Sequence, residues 1–166
     1  LKYLIMKFTN LFILLILISA CGTSPTKELD DDLGLMLYTI REEMKDNPKE
    51  KLTRVAEIGY DYVESAGYEN GLYYGMTPND FNDYMKSIDL EPMSSHQGSM
   101  TYENADQEIA DAVAAGFKFV VIPVPPMGMF TYNFETRTMG MKGSPEELVS
   151  FLNTVGEKAS KAGLSL

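Results

Sequence analysis

Ala56-Glu57-Ile58-Gly59-Tyr60-Asp61-Tyr62-Val63-Glu64 carries the information that decides the fold. Leu52, Val55 and Ala56 recur at helical spacing, and the pattern stops at Gly59, the residue type best suited to the left-handed backbone that closes a helix. An apolar run, Tyr60–Ser65, follows at once and reads as a buried strand. Near the end of that strand stands Glu64, a carboxylate in an otherwise apolar setting that requires a partner or a ligand.

The same unit recurs along the chain. Further strand-like runs are Leu33–Thr39, Leu90–His96 and Phe117–Val124, with Leu164-Ser165-Leu166 reading as the start of another. Between them lie four amphipathic helices. Three are announced by a capping residue followed by proline: Asn47-Pro48, Thr77-Pro78 and Ser144-Pro145. Proline fits the first helical position because its missing N–H has no helical partner there. The fourth helix begins at Asn104. Glu50, Asp80, Gln107 and Glu147 stand three residues after the caps, where a side chain can fold back onto the cap or favour the positive helix end. Gly59, Gly116 and Gly163 close three helices, and Asp89 takes that place after the second.

Strict alternation of strand and helix predicts an α/β fold with a parallel sheet and right-handed crossovers. Two architectures satisfy it, a closed eight-stranded barrel and an open doubly wound sheet. Leu37-Tyr38-Thr39-Ile40-Arg41 follows the first strand where a dinucleotide-binding protein carries a glycine-rich loop, which weakens the nucleotide-binding form of the open sheet. Four units and the beginning of a fifth strand would leave an apolar sheet edge, so the sequence is expected to be part of a longer protein.

The N-terminal segment has a separate logic. Lys7, the apolar run Leu11–Ile18 and the small residues Ser19-Ala20 precede Cys21, the single cysteine of the chain. This order predicts a lipoprotein signal peptide over residues 1–20, with lipid attached to Cys21. Residues 21–32 are polar and end in an acidic run, as a flexible tether would. The expected location is outside the cytoplasm, in the periplasm or at the cell surface, with the membrane as partner through the lipid. The chain carries a net charge of −10, and the part after residue 20 carries 12 basic against 24 acidic residues. Such a balance repels phosphate backbones and argues against a nucleic-acid partner.

Chemistry in parallel α/β folds sits at the C-terminal ends of the strands. Here those ends carry Tyr38, Glu64, His96 and Gln97, with Arg41 close by, a set able to hydrogen-bond a polyol. His96 is the only histidine, in Ser94-Ser95-His96-Gln97-Gly98, and is able to shuttle protons near neutral pH. An ion pair with Arg41 would be the structural alternative for Glu64. No second histidine or free cysteine accompanies His96 to complete a metal site. The insert from Pro123 to Gly143 holds Phe130, Tyr132 and Phe134, aromatics suited to the apolar face of a sugar. Its paired methionines are soft enough for Cu(I), and equally able to fill irregular gaps.

Taken in order, Gly34-Leu35-Met36-Leu37-Tyr38-Thr39-Ile40-Arg41, then residues 56–64, then Ser94-Ser95-His96 and the Pro125-Pro126 pair resemble the xylose isomerase-like TIM-barrel superfamily, and more narrowly its exported sugar phosphate isomerase/epimerase-type proteins. The resemblance implies that residues 33–166 form the N-terminal part of such a barrel, about four βα units. It also implies a divalent metal (Mn, Mg or Zn) that polarises a sugar carbonyl while a proton or hydride moves. The metal ligands of the family come mainly from later strands, so none is carried onto this chain, and the chain alone is expected to be inactive. Glu64 and His96 are carried over as catalytic-rim residues contacting substrate, and Tyr38, Arg41 and Gln97 join them as candidate carbohydrate contacts. Few cations stand near the loops, which favours a neutral sugar or keto-sugar over a phosphorylated one. Binding of a carbohydrate without turnover, and cleavage of a 3-keto-glycoside, are the rival readings.

Overall fold

The computed structural model describes residues 32–124, 126 and 128–166. The expected signal peptide, Cys21 and most of the tether lie outside them. Among the described residues no helix is long and apolar enough to cross a membrane.

Strand β1 (Gly34–Met36) is followed by two short 3-10 turns, Leu37–Ile40 and Glu43–Lys45, and then by α1 (Pro48–Ile58). Next come β2 (Tyr62–Ser65), a small hairpin of β3 (Tyr68–Glu69) and β4 (Leu72–Tyr73), and α2 (Pro78–Ser87). β5 (Glu91–His96) and α3 (Ala105–Ala114) follow. The last unit contains β6 (Phe119–Val121), a second hairpin of β7 (Phe130–Asn133) and β8 (Thr138–Met141), and α4 (Pro145–Lys161).

The helix signals correspond to physical caps at two of the four sites. The Thr77 side chain accepts the backbone N–H of Asp80, and Ser144 and Glu147 form a reciprocal capping box. Asn47 instead adopts a left-handed backbone (φ 52°), and its amide donates to Glu50 Oε2 at 2.9 Å. Asn104 makes no cap bond, because its side chain is spent on Thr101, Ser99 and Glu108. Gly59, Asp89, Gly116 and Gly163 all take the left-handed backbone expected of them. The strands are shorter than the apolar runs. Residues 37–40 coil into a 3-10 turn, and Phe117 leaves the ladder to pack among Tyr73 and Phe81 in the core.

The main sheet runs β1-β2-β5-β6, all neighbours parallel. Ser165 continues it beyond β6, accepting from the Val120 N–H at 2.8 Å and donating to the Lys118 carbonyl at 3.0 Å. Each new strand is therefore laid beside the last, with no reversal of direction across the sheet. Right-handed crossovers in that order place every helix on one face. A doubly wound sheet needs a switch point, where the strand order reverses, to cover both faces, and the described sheet has none. The helix-covered face holds the core, built from Leu37, Val63 and Val120 of the sheet side against Leu52, Phe81, Met85, Ile109 and Phe151 of the helices. On the other face Met36 and Phe119 remain exposed, as does Leu166 at the end of the chain.

Removing the ring of Phe81, fully buried among Tyr73, Tyr74 and Phe117, is expected to cost about 3–5 kcal/mol of unfolding free energy. Val149→Ala, on the exposed side of α4, is expected to change stability by no more than about 0.5 kcal/mol. Denaturant titrations of the two variants check this contrast.

Candidate active site

Pro92 lies in β5 opposite Val63 of β2, ahead of the residues that pair with β6. The Glu91 N–H bonds to the Asp61 carbonyl at 2.8 Å, so the Pro92 nitrogen faces away from β2, on the side where no strand is paired with it, and the proline is tolerated there. The β2–β5 register breaks at that point: Val63 pairs with Pro92, but Glu64 pairs with Ser94, so Met93 is the extra residue of a bulge. Without the break Glu64 would face Met93. With it, a hydroxyl and an imidazole from β5 arrive beside a carboxylate from β2.

The resulting contacts are short. Ser94 Oγ donates to Glu64 Oε2 at 2.6 Å, and His96 Nε2 lies 2.9 Å from Glu64 Oε1. Each oxygen of the carboxylate thus faces one neighbour. The Glu64 side chain is 27% exposed and that of His96 20%, so both are largely shielded but reachable from the face the helices leave open. A protonated His96 forms an ion pair with Glu64, and a neutral one makes a polar contact with it. The group therefore has the parts needed to accept or deliver a proton at a bound hydroxyl.

Tyr38 and Arg41 form a separate pair. The guanidinium of Arg41 lies over the Tyr38 ring, 4.6 Å from its centroid, and donates to the Tyr38 carbonyl at 3.1 Å. Its ion-pair partner is Glu42 at 3.8 Å, so the pairing with Glu64 weighed from the sequence is not the one formed. Both residues line a cavity of about 620 Å³, bounded opposite by Gly67, Asn70 and Tyr74 of the first hairpin segment. Glu64 and His96 are not among the residues lining it. Gln97 points away from both groups. It is 1% exposed in the core, where its amide donates to Tyr73 Oη at 2.9 Å and to Ser95 Oγ at 3.2 Å.

The β3–β4 hairpin walls this cavity, although no strand was expected between residues 65 and 78. Its signal was Asn70-Gly71 between Tyr68-Glu69 and Leu72-Tyr73, and both turn residues take positive φ, 52° and 79°. Gly67 is required beside it, since a Cβ there would lie 2.1 Å from the Tyr74 ring.

A second polar group, also unforeseen, lies between this hairpin and α3. Tyr68 donates to Asp111 Oδ2 at 2.6 Å, and Glu108 Oε1 accepts from Ser99 and Asn104 at 3.0 and 2.9 Å. Glu108 Oε2 is buried without a partner. Burial, reinforced by the charge of Asp111, raises the Glu108 carboxyl above its ordinary range, while the Ser99 hydrogen bond opposes the shift. Tyr68 and Tyr73 are pushed up as well, chiefly by burial. Among the described residues, no three carboxylate, imidazole or thiolate groups converge as a metal site would need. The residues present here therefore do not by themselves fit the divalent ion that the family resemblance implies.

No family model matches the chain, and no curated protein matches it. Solved structures do. A sugar phosphate isomerase/epimerase from Parabacteroides distasonis superposes with a TM-score of 0.57 at 21% identity, over 80% of this chain and 49% of its own. A xylose isomerase domain containing protein from Salmonella typhimurium gives 0.54 at 14% identity, over 80% and 47%. A fusion of a xylose isomerase-like TIM barrel with 4-hydroxyphenylpyruvate dioxygenase gives 0.54 at 17%, over 80% and 21%. The chain spans about half the length of the first of these structures. The class is thus α/β with parallel βα units, and the fold is similar to part of the TIM barrels of these structures.

Glu108 offers a pH test of the second polar group. Its raised value means that the fold favours the protonated acid. That contribution is complete below the ordinary value of 4.5 and lost as pH rises through the raised one. Glu108→Gln is therefore expected to gain stability relative to the parent chain as pH rises from the ordinary value of 4.5 through the raised one, read as the difference between their melting temperatures. A pH-independent difference contradicts the assignment.

Proposed function

We propose that this chain supplies the proton-handling rim of a carbohydrate isomerase or epimerase. The observation that carries the reading is the cluster of Ser94, Glu64 and His96, held at the C-terminal ends of adjacent parallel strands and open on the face without helices. Such strand ends are where enzymes of barrel architecture do their chemistry. The names of the fold neighbours support the sugar class.

In this reading a sugar hydroxyl or the C–H beside a carbonyl lies against Glu64 and His96. One of the two takes the proton and the other returns it or steadies the charge. Tyr38 and Arg41 contact a more distant part of the ligand, because they line the neighbouring cavity rather than the carboxylate itself. A divalent ion belongs to the proposal only with ligands from outside the described residues. The ligand is proposed to be a neutral sugar or keto-sugar, on the scarcity of cations around the rim. A lipid on Cys21 and a location outside the cytoplasm complete the proposal and rest on the sequence of the N-terminal segment.

Incubating the full-length protein with neutral and phosphorylated sugars in deuterated water tests it. Deuterium is expected to enter the sugar beside its carbonyl, and His96→Ala is expected to slow this by roughly 10²–10⁴-fold. Binding without exchange would favour a carbohydrate-binding protein. Cleavage of a 3-keto-glycoside would favour a lyase, and a clear preference for phosphorylated sugars would overturn the neutral-substrate assignment.

A further inference from the structure

We infer that Ser94 is a positioning residue: it fixes the plane of the Glu64 carboxylate, so that while one oxygen is held by the Ser94 hydroxyl the other is presented to His96 and to a ligand. The inference rests on the proposed proton-handling role of Glu64 and His96, and adds to it the part that holds them in register.

The argument is geometric. A carboxylate can turn about its last bond, and because its two oxygens are equivalent the orientation of its plane is what a neighbour can fix. Here Oε2 is held by the Ser94 hydroxyl at 2.6 Å, the short distance of a hydrogen bond to an ionised acceptor. Ser94 is itself buried, so water competes poorly for that hydroxyl. Its backbone is fixed on both sides, opposite Glu64 on β2 and opposite Phe119 on β6. A part turn of the carboxylate out of this plane would break the Ser94 bond and carry the other oxygen away from His96 Nε2, 2.9 Å distant. The bulge after Pro92 is what makes the arrangement possible, because an unbroken ladder would put the thioether of Met93 opposite Glu64. Ser95, the neighbouring hydroxyl, does not share the task. It is fully buried in the core, bonded to Gln97 and Tyr73.

His96 is the only histidine, so its ring protons give a single, directly readable set of NMR signals in the 166-residue chain. Ser94→Ala is expected to move and broaden those signals, as Glu64→Ala is also expected to do, while leaving the backbone spectrum folded. Ser94→Thr, which keeps the hydroxyl, is expected to restore them. In the full-length protein Ser94→Ala is expected to lower kcat by roughly tenfold or more with KM little changed, because orientation and not ligand contact is lost. His96 signals identical in Ser94→Ala and the parent chain would overturn the inference. So would a shift that Ser94→Thr fails to restore while remaining folded. The NMR arm does not depend on turnover. If no sugar is converted but the His96 signals respond as described, the functional proposal fails and the positioning role stands. If exchange occurs and Ser94→Ala leaves both signals and kcat unchanged, the reverse holds.

Discussion

The arrangement of groups on the rim depends on one extra residue. Met93 stands outside the pairing between β2 and β5, and the ladder resumes one position later. Everything downstream is displaced by one position. Ser94 then meets Glu64, Ser95 meets Ser65, and His96 reaches the end of the strand on the same side as the carboxylate. A bulge costs pairing in the middle of a sheet, and its place here, beside the only histidine and the most enclosed strand-end acid, fits a device that aims side chains.

The second constraint is the order of the strands. Because each parallel strand is added next to its predecessor, the helices all lie on one side and bury Val63, Val120 and the aromatic cluster of Tyr73, Phe81 and Phe117. The same order leaves the Glu64 side of the sheet without a helical cover. The core thus fixes the positions of the strand ends, while the polar group forms on the face that the core does not use. Stability and chemistry are carried by alternate residues of the same strands, which is the consequence of a two-residue repeat.

Local signals in the sequence were legible because they act over a few residues. Proline at the first helical position, glycine at the last and the Ser144–Glu147 capping box need only neighbours in the chain, and the helices begin and end where those residues say. Asn47 shows the limit: its left-handed backbone removes it from capping, although the helix still starts at Pro48. The contact between Glu64 and His96 spans 32 positions and depends on a register shift, and so it was legible only as two strand ends of the right type. Arg41 looked an equally good partner for Glu64 from its place in the chain, but it turns onto Tyr38 and Glu42. Gln97, one residue past His96, falls on the opposite side and enters the core. Asn70-Gly71 was the available sign of the β3–β4 hairpin.

Cross-strand nuclear Overhauser contacts between β2 and β5 test the central claim most directly. The account predicts contacts of Val63 with Pro92, of Glu64 with Ser94 and of Ser65 with Ser95, with Met93 left out of the ladder. Regular contacts that pair Glu64 with Met93 and Ser65 with Ser94 would contradict it, since the carboxylate, the hydroxyl and the imidazole would then no longer share one face.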